Sequence, residues 1–447
     1  MLRKYFGTDG VRGPVGGPLI NSSFASRLGQ AVARWLKAEA PSAGALRIVI
    51  GRDTRASGAE LELAVAAGLA AEGCSPVSLG VVPTPAVARA VRKNGAALGV
   101  VITASHNPAS DNGIKFFGPS GMKLSDAQEA AIEACLPEQA VSPFIRPLPV
   151  LEGASDYLDA TQAILPNGCL RGWHIVLDTA NGATCSTSPA VLRALGADVV
   201  GIGDSPDGLN INASVGSEHP EQLAQRVLQT GASLGIAHDG DGDRCILCDE
   251  RGAILDGDEI LVILASHALR ENKLSARTLV VTVQSNLGVD QAVSVAHGLV
   301  SRTQVGDRYV IERMLELGSN LGGESSGHII CSDISPTGDG LVAALKVIEV
   351  MLSTGQPLSV LRTSLAKFPQ LSKALKVREK LPLETLPTLP LVLAAIEEEL
   401  GAQGRLLTRY SGTEAKLRLL VEGPSDEIVA AALARIESAV RQDLVVL

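Results

Sequence analysis

One segment of the sequence places acidic side chains at every second position. Asp239, Asp241 and Asp243 alternate with glycines, and in an extended segment this spacing directs the three carboxylates to one side. Carboxylates so close together repel one another unless a cation neutralises them, and oxygen ligands suit Mg²⁺. We therefore expect a Mg²⁺ site, with a metal-free polar turn as the alternative. An EF-hand loop does not fit, because Arg244 stands where that loop requires glycine.

A second polar segment, residues 103–108, contains Ser105 next to His106. The Gly-x-Ser-x-Gly elbow of hydrolases is absent, and an ordinary polar turn is the alternative interpretation. A phosphoserine at position 105 would carry a charge of about −1.5 to −2. A divalent cation beside it would hold this group and polarise it for transfer.

Positive charge that could balance the aspartates and a phosphate occurs in three places. The Gly-rich segment Phe6–Gly13 contains Arg12, and Lys115 follows Ser105 closely. Near the C-terminus, two arginines, two hydroxyl side chains and a glycine turn supply the components of a phosphate cradle, although a solvated basic turn would look the same. The members of this cradle are Arg409, Ser411, Gly412, Thr413 and Arg418.

A third polar segment lies between glycines and contains Glu324, Ser326 and His328. These donors and acceptors suit sugar hydroxyls, and we expect Asp307 and Arg308 to line the same wall. A purely structural loop is the alternative.

The three polar segments follow a repeated arrangement of elements. Each is preceded by a buried β-branched strand that feeds a helix, and then by a pentapeptide of the form Gly-x-x-Leu-Gly. Ligand-binding loops of α/β sheets lie beyond the carboxyl ends of strands, so the repeat predicts three equivalent loops around one cleft. The strands are 45–53, 173–182 and 277–286, and the pentapeptides are 95–99, 231–235 and 318–322.

The fold class expected from this repeat is α/β. It consists of three similar α/β domains, each with a mixed sheet between helices, and a smaller α+β C-terminal domain, all arranged around a central cleft. The expected boundaries are 1–150, 151–255, 256–369 and 370–447. In the last domain, the Pro-rich run 381–390 is interpreted as a connector, followed by strands from 405 and 416 and a helix over 425–440.

Composition excludes several classes of protein. The 447 residues are 46% hydrophobic and 19% charged, which is unlike a disordered chain. A net charge of −9 argues against nucleic acid as a partner, and the chain has no stretch of eighteen apolar residues for a membrane span. Seven cysteines without framework spacing indicate reduced thiols and a cytoplasmic protein, with Cys245 and Cys248 in core packing rather than a zinc site.

Five ordered motifs, FGTDGVRG, TASHNP, DGDGDR, GGESSGH and RYSGTE, resemble those of the α-D-phosphohexomutase superfamily. The first motif and the Gly306–Tyr309 segment most resemble its phosphoglucosamine mutase branch. The resemblance implies an isomerase that converts glucosamine 6-phosphate to glucosamine 1-phosphate through a bisphosphorylated sugar, feeding UDP-N-acetylglucosamine and cell-wall synthesis. It also implies that Ser105 is the phosphoserine that gives and regains the phosphoryl group.

The resemblance also assigns roles to the other residues singled out above. It implies that Ser105 and the three aspartates bind Mg²⁺, with Arg244 nearby, that residues 324, 326 and 328 hold sugar hydroxyls, and that the C-terminal cradle grips the non-reacting phosphate. Arg12, His106 and Lys115 are expected to be electrostatic or proton-transfer helpers, in no particular order.

Two positions depart from the family pattern, and several functions remain open. Ala415 replaces the usual proline of the last motif, and Ser325 stands where bacterial phosphoglucosamine mutases usually have glutamine. The alternatives are a phosphoglucomutase or phosphomannomutase, a non-catalytic phosphosugar sensor, and a metal-dependent phosphatase. The expected partner is a phosphorylated amino sugar, with no nucleic acid or membrane, and the protein could be a monomer or a homodimer.

Overall fold

A mixed five-stranded sheet opens the computed structural model, which describes residues 3–7, 9–39, 46–142, 147–411 and 415–447. Its strands run in the order β1-β5-β4-β2-β3, with β4, β2 and β3 parallel and β5 antiparallel to both of its neighbours. The elements are β1 (Val11–Pro14), α1 (Ser22–Glu39), β2 (Arg47–Arg52), α2 (Gly58–Ala71), β3 (Ser75–Val81), α3 (Thr84–Lys93), β4 (Leu98–Ile102), β5 (Asp111–Phe117) and α4 (Asp126–Ala134).

The second sheet repeats this plan, with the order β10-β9-β8-β6-β7. Strands β8, β6 and β7 are parallel, and β9 is antiparallel to β8. The elements are α5 (Gly153–Gln162), β6 (His174–Asp178), α6 (Ser188–Ala194), β7 (Asp198–Ile202), α7 (Glu221–Thr230), β8 (Leu234–Ala237), β9 (Ile246–Cys248) and β10 (Ile254–Leu255).

The third sheet has the order β12-β11-β13-β14, again with three parallel strands and an antiparallel fourth. Its elements are α8 (Gly257–Arg270), β11 (Thr278–Thr282), α9 (Gly288–Val295), β12 (Leu299–Thr303), α10 (Asp307–Leu317), β13 (Leu321–Gly323), β14 (Ile329–Cys331), α11 (Gly340–Thr354) and α12 (Leu358–Leu361).

The shared strand order places the three polar segments at equivalent positions. Each Gly-x-x-Leu-Gly pentapeptide ends inside the third parallel strand of its sheet, which is β4, β8 or β13. These strands are buried, as expected for parallel strands covered on both faces by helices. The polar segments therefore leave the carboxyl ends of corresponding strands, and the predicted α/β fold is confirmed.

The C-terminal region forms a three-stranded antiparallel sheet with two packed helices. Its elements are β15 (Gln370–Lys376), α13 (Leu389–Leu400), β16 (Arg405–Tyr410), β17 (Lys416–Glu422) and α14 (Asp426–Asp443), and the strand order is β15-β17-β16. The last two strands and the last helix agree with the sequence analysis, but β15 and α13 were not predicted. The Pro-rich run 381–390 lies inside this region, and α13 begins within it. Short 3-10 helices occupy Ala183–Ser186, Ser275–Arg277, Arg362–Ser364, Leu383–Thr385 and Gly401–Gln403.

One large apolar core connects the elements that carry the polar loops. It includes Val87 of α3, Leu192 of α6 and Leu345 of α11, all of them buried, so the first three sheets share packing. Separate cores support α1 with α2 and the C-terminal sheet. In the described part of the chain, no single helix is long and apolar enough to cross a membrane. One pair of helices, Gly340–Thr354 with Leu358–Ser364, is long and apolar enough for a membrane span by length and composition only, and it is bent by 94°.

Candidate active site

A cleft of about 270 Å³ brings together loops from all four sheets. The lining includes both polar loops that carry Ser105 and Glu324, the end of the acidic loop, and the C-terminal strands. Eleven of the residues singled out from the sequence line this cleft, namely Arg12, Ser105, His106, Asp243, Arg244, Asp307, Glu324, His328, Arg409, Ser411 and Arg418. The sequence segments that are far apart along the chain therefore converge.

The acidic loop between β8 and β9 forms a compact, buried carboxylate cluster. Oxygens of Asp239, Asp241 and Asp243 lie within 4.8 Å of one another, and all three residues are at most 3% exposed. Burial, reinforced by the charges of Asp243 and Asp241, raises the pKa of Asp239 well above its ordinary value. Within the described residues, Asp241 Oδ1 is buried without a hydrogen-bond partner. Buried, repelling oxygens of this kind fit a hard divalent cation.

Ser105 points directly at this cluster. Its hydroxyl donates a hydrogen bond of 2.6 Å to Asp239 Oδ2, and His106 Nδ1 lies 3.3 Å from Ser105 Oγ. Ser105 has a backbone φ of +53°, in the left-handed region that residues with a side chain rarely adopt. The backbone is thus held in a costly conformation that directs Oγ toward the carboxylates.

Lys115 on β5 supplies positive charge beneath the cluster. Its Nζ lies 3.0 Å from Asp241 Oδ2, 2.8 Å from Asp9 Oδ2 and 3.8 Å from Asp243 Oδ2. Burial opposes a charge at this position, but Asp241 and Asp9 outweigh it and raise the pKa of Lys115. Arg12 on β1 also bonds to Asp9, so both predicted cations share this carboxylate.

Lys123 and Asp9 belong to the cleft but were not singled out from the sequence. Lys123 Nζ lies 2.5 Å from Asp9 Oδ1 and 2.5 Å from Asp307 Oδ2. It therefore ties the N-terminal loop to the start of α10. Asp9 lies inside the FGTDGVRG motif, which was a usable signal, whereas Lys123 follows β5 in an unremarkable polar turn.

The loop between β13 and β14 builds another part of the cleft lining, with Glu324 and His328. Glu324 Oε1 accepts a hydrogen bond of 3.0 Å from the Gly306 backbone. His328 lies between two carboxylates, with Nδ1 3.5 Å from Asp243 Oδ1 and Nε2 3.3 Å from Asp307 Oδ2. Burial opposes a charge on this imidazole, but Asp243 outweighs it and raises the pKa of His328 to about 9.

Two residues singled out as sugar contacts are not among the described residues that line the cleft. Arg308 Nη2 donates a hydrogen bond of 2.8 Å to Glu129 Oε1, and Nη1 bonds to Asp126, so its guanidinium packs on α4. Ser326 lies in the turn between Glu324 and His328 but is not among the described residues that line the cleft. Arg244 does line it, and its Nη1 donates to Glu218 Oε1 at 2.9 Å.

The C-terminal strands contribute two adjacent arginines. Arg409 on β16 lies directly opposite Arg418 on β17, and both line the cleft with Ser411. Burial and the charge of Arg418 lower the pKa of Arg409, and Arg409 Nε is buried without a hydrogen-bond partner among the described residues. Like charges opposite one another are destabilising unless an anion bridges them. Gly412 and Thr413 lie outside the described residues.

Sequence models of one family match the chain along almost its whole length. The phosphoglucomutase/phosphomannomutase alpha/beta/alpha domains I, II and III match residues 3–141, 155–252 and 256–368, and the C-terminal domain matches residues 360–439.

Individual relatives and a solved structure agree with these matches. The phosphoglucosamine mutases of Halorhodospira halophila and Desulforamulus reducens are each 46% identical to the chain. The first alignment covers 95% of this chain and 93% of the relative, and the second covers 94% and 96%. The crystal structure of a phosphoglucomutase/phosphomannomutase family protein from Burkholderia thailandensis shares the fold, with a TM-score of 0.79 at 24% identity over 99% of this chain and 98% of that one.

Proposed function

We propose that this chain, which belongs to the phosphoglucomutase/phosphomannomutase family and within it to the phosphoglucosamine mutases, interconverts glucosamine 6-phosphate and glucosamine 1-phosphate through a phosphoserine at position 105. The observation that carries the proposal is the 2.6 Å hydrogen bond from Ser105 Oγ to Asp239, inside a buried group of three carboxylates. A hydroxyl placed there is poised to carry a phosphoryl group beside a cation. The product would feed UDP-N-acetylglucosamine and cell-wall synthesis.

Enzymes of this family generally depend on Mg²⁺, and we assign the ion to four residues. Asp239, Asp241 and Asp243 would hold it, together with the oxygen group on Ser105. When bound, Mg²⁺ would neutralise the clustered charge and polarise the phosphoryl group. The support is the chemistry of the donor set, which consists of buried oxygens. Two of them, Asp241 Oδ1 and Asp243 Oδ1, have no hydrogen-bond partner among the described residues.

In the first half-reaction, a hydroxyl oxygen of the bound sugar phosphate attacks the phosphorus on Ser105. A new P–O bond forms to the sugar, the P–Oγ bond breaks, and the proton lost by the sugar hydroxyl must reach Ser105 Oγ. We assign this proton transfer to His106, because its Nδ1 lies 3.3 Å from Oγ. Lys115 and Arg12 would hold charge, since both are committed to ion pairs with Asp9.

The second half-reaction requires the bisphosphorylated sugar to turn over in the cleft. Ser105 Oγ then attacks the other phosphorus, the bond from that phosphorus to the sugar oxygen breaks, and the proton returns to the sugar. We assign Glu324, His328 and Asp307 to the sugar hydroxyls in both orientations. Arg409 and Arg418, with Ser411, would bind the phosphate that is not reacting, as would Gly412 and Thr413.

Two predicted contacts gain no support from the geometry. Arg308 is engaged with α4, and Ser326 is not found among the described cleft residues. Arg244 lies beside the acidic loop, where its charge would act on the phosphoryl group. We keep Arg308 and Ser326 out of the proposed substrate contacts.

The identity of the sugar distinguishes this proposal from the other activities of the family. Phosphoglucomutase or phosphomannomutase activity would use the same machinery on a 2-hydroxy sugar. Relative kcat/KM values on glucosamine, glucose and mannose phosphates test the choice. A preference for glucose or mannose phosphate over glucosamine phosphate would contradict it.

The proposal also includes the domain boundaries and the cellular location of the protein. We propose boundaries after residues 150, 255 and 369, so that each of the four domains contributes one loop to the cleft. We also propose a cytoplasmic location, which is supported by seven cysteines that are all free thiols in the described chain.

Removal of the Ser105 hydroxyl tests the mechanism. We expect the intact mass of the wild-type protein to include a phosphate adduct, and Ser105→Ala to lose both the adduct and Mg²⁺-dependent isomerisation. Ser353→Ala, which changes an exposed serine on α11, is the matched control. Full isomerase activity in Ser105→Ala would refute the mechanism. Steady release of inorganic phosphate by the wild-type protein would indicate a phosphatase instead.

A further inference from the structure

We propose that Arg55 and Asn212 are positioning residues that hold the backbone of the Ser105 loop, and that this carbonyl clamp sets the rate of phosphoryl transfer. The inference rests on the proposed function, in which Ser105 carries the phosphoryl group. Neither residue lines the cleft or belongs to the motifs singled out from the sequence. On the Ser105 loop, the side chains of both residues donate to backbone carbonyls.

The Arg55 guanidinium donates most of its hydrogen bonds to one stretch of backbone. Its side chain is fully buried, and Nε donates a hydrogen bond of 2.9 Å to Asp53 Oδ2. Nη2 donates to the carbonyls of Ser105 at 3.0 Å and Asn107 at 2.7 Å. Nη1 donates to the carbonyls of Pro108 and Asp111, the latter at 2.9 Å. All five N–H donors of the guanidinium are therefore used, four of them on carbonyls between residues 105 and 111.

Asn212 approaches the same carbonyls from the second sheet. Its Nδ2 donates to Ser105 O at 2.8 Å and to Asn107 O at 3.0 Å, and the residue is 8% exposed. Its own backbone N–H donates to Ala180 O at 2.8 Å, on the loop that follows β6. Each of the two carbonyls thus accepts one hydrogen bond from Arg55 and one from Asn212.

The location of these carbonyls links the clamp to the chemistry. Ser105 adopts the left-handed conformation, which its neighbours must maintain. Its carbonyl also abuts the acidic loop, since a Cβ on Gly240 would lie 2.7 Å from Ser105 O and 2.9 Å from Asn212 Nδ2. If the carbonyl turned away, Oγ would lose its direction toward Asp239. The clamp therefore fixes the reacting oxygen relative to the metal-binding group.

The clamp also spans two parts of the fold. Arg55 follows β2 of the first sheet, whereas Asn212 lies in the loop between β7 and α7 of the second sheet. Thr54 Oγ1 donates to Asn181 O at 2.5 Å, and Ala56 N donates to Gly208 O at 3.0 Å, so the two segments are in contact on both sides of Arg55. The position of Ser105 therefore depends on the contact between the first and second sheets.

The test uses the full-length protein and glucosamine 6-phosphate, with phosphoserine content measured by intact mass. For Asn212→Ala we expect kcat per phosphorylated protein to fall by about 10- to 100-fold, the loss expected when a reacting atom is misplaced by up to about 1 Å. KM should stay within about threefold, because no substrate contact is removed. The matched control is Asn320→Ala, which removes an amide that donates to Lys273 O at 3.0 Å and is not part of the cleft lining.

A second variant separates positioning from general stability. Arg55→Lys keeps the charge beside Asp53 but loses the forked donors, and we expect its kcat to fall as well. Because both residues hold the same carbonyls, the double variant should lose less than the product of the two single losses. If Arg55→Lys does not fold, Asn212→Ala decides the question alone.

A kcat for Asn212→Ala no lower than that of Asn320→Ala would overturn the inference. So would a loss confined to KM. An inactive wild-type protein would instead contradict the proposed function, which keeps the two failures distinct.

Discussion

Replacement of Lys115 by methionine tests whether the acidic cluster binds a divalent cation. Lys115 Nζ lies within 3.0 Å of two carboxylates and 3.8 Å of a third, and its side chain is 1% exposed. Removing one partner of a buried ion pair costs about 3–5 kcal/mol, because the remaining charges are left uncompensated. Methionine preserves most of the side-chain volume, so the loss reports charge rather than packing.

Mg²⁺ should reverse much of this loss. The variant has lost the cation that competes with Mg²⁺ for Asp241, and a ligand at about 100 times its Kd stabilises the folded protein by about 2.7 kcal/mol. We expect urea unfolding to show a loss of about 3–5 kcal/mol for Lys115→Met without metal and a clearly smaller loss with saturating Mg²⁺.

The control is Lys373→Met, which removes an exposed pair with Glu437 at 2.6 Å. It should cost about 0–1 kcal/mol and be indifferent to Mg²⁺. Equal destabilisation of Lys115→Met with and without Mg²⁺ would contradict a cation site at the acidic cluster.

Three further predictions concern the phosphate cradle, pH and domain movement. Arg418→Ala should raise KM for the sugar phosphate about 10- to 100-fold, because a hydrogen bond between charged groups contributes about 1.5–3 kcal/mol. The surface variant Arg441→Ala is the control, and equal KM values for the two variants would contradict the phosphate cradle. Burial raises the pKa of Asp258 from 3.8 to about 7, so its contribution to stability is complete below pH 3.8 and disappears as the pH rises through 7. The stability difference between wild type and Asp258→Asn should therefore change over this range, and a constant difference in urea unfolding would contradict the shift. Because the cradle lies on the C-terminal sheet, X-ray scattering should show closure when sugar phosphate binds, and identical profiles would argue against it.

The repeated loops could be predicted because their signals are local and redundant. A buried apolar strand, a Gly-x-x-Leu-Gly pentapeptide and a polar cluster recur in the same order, and β4, β8 and β13 carry them. Corresponding positions in three similar sheets then bring the loops to one side. The sequence of the loops was enough to predict that they meet at one cleft, and Ser105, Asp243 and Glu324 line it.

The directions of individual side chains were harder to predict from the sequence. Asp307 and Arg308 are adjacent on α10 and therefore point about 100° apart around the helix axis. Asp307 faces the cleft, while Arg308 meets Glu129 on α4. The adjacency of the two residues gave no indication that only one of them would reach the cleft.

Elements with weak patterns were missed for identifiable reasons. Strand β15 is exposed at six of its seven positions, with two lysines, so it lacks the alternation of a half-buried strand. Helix α13 begins in a Pro-rich run, and its proline occupies the first turn, where the missing N–H does no harm. Arg55 and Asn212 hold the Ser105 loop through backbone carbonyls, and the sequence does not reveal the partners of such bonds.

The most direct measurement follows the phosphoryl group itself. Protein labelled with ³²P at Ser105 is mixed with unlabelled glucosamine 6-phosphate and Mg²⁺, and the products of one turnover are separated. If Ser105 relays the phosphoryl group, the label leaves Ser105 and appears on the sugar, first in the bisphosphate. Label that stays on the protein, or that leaves only as inorganic phosphate, would contradict it.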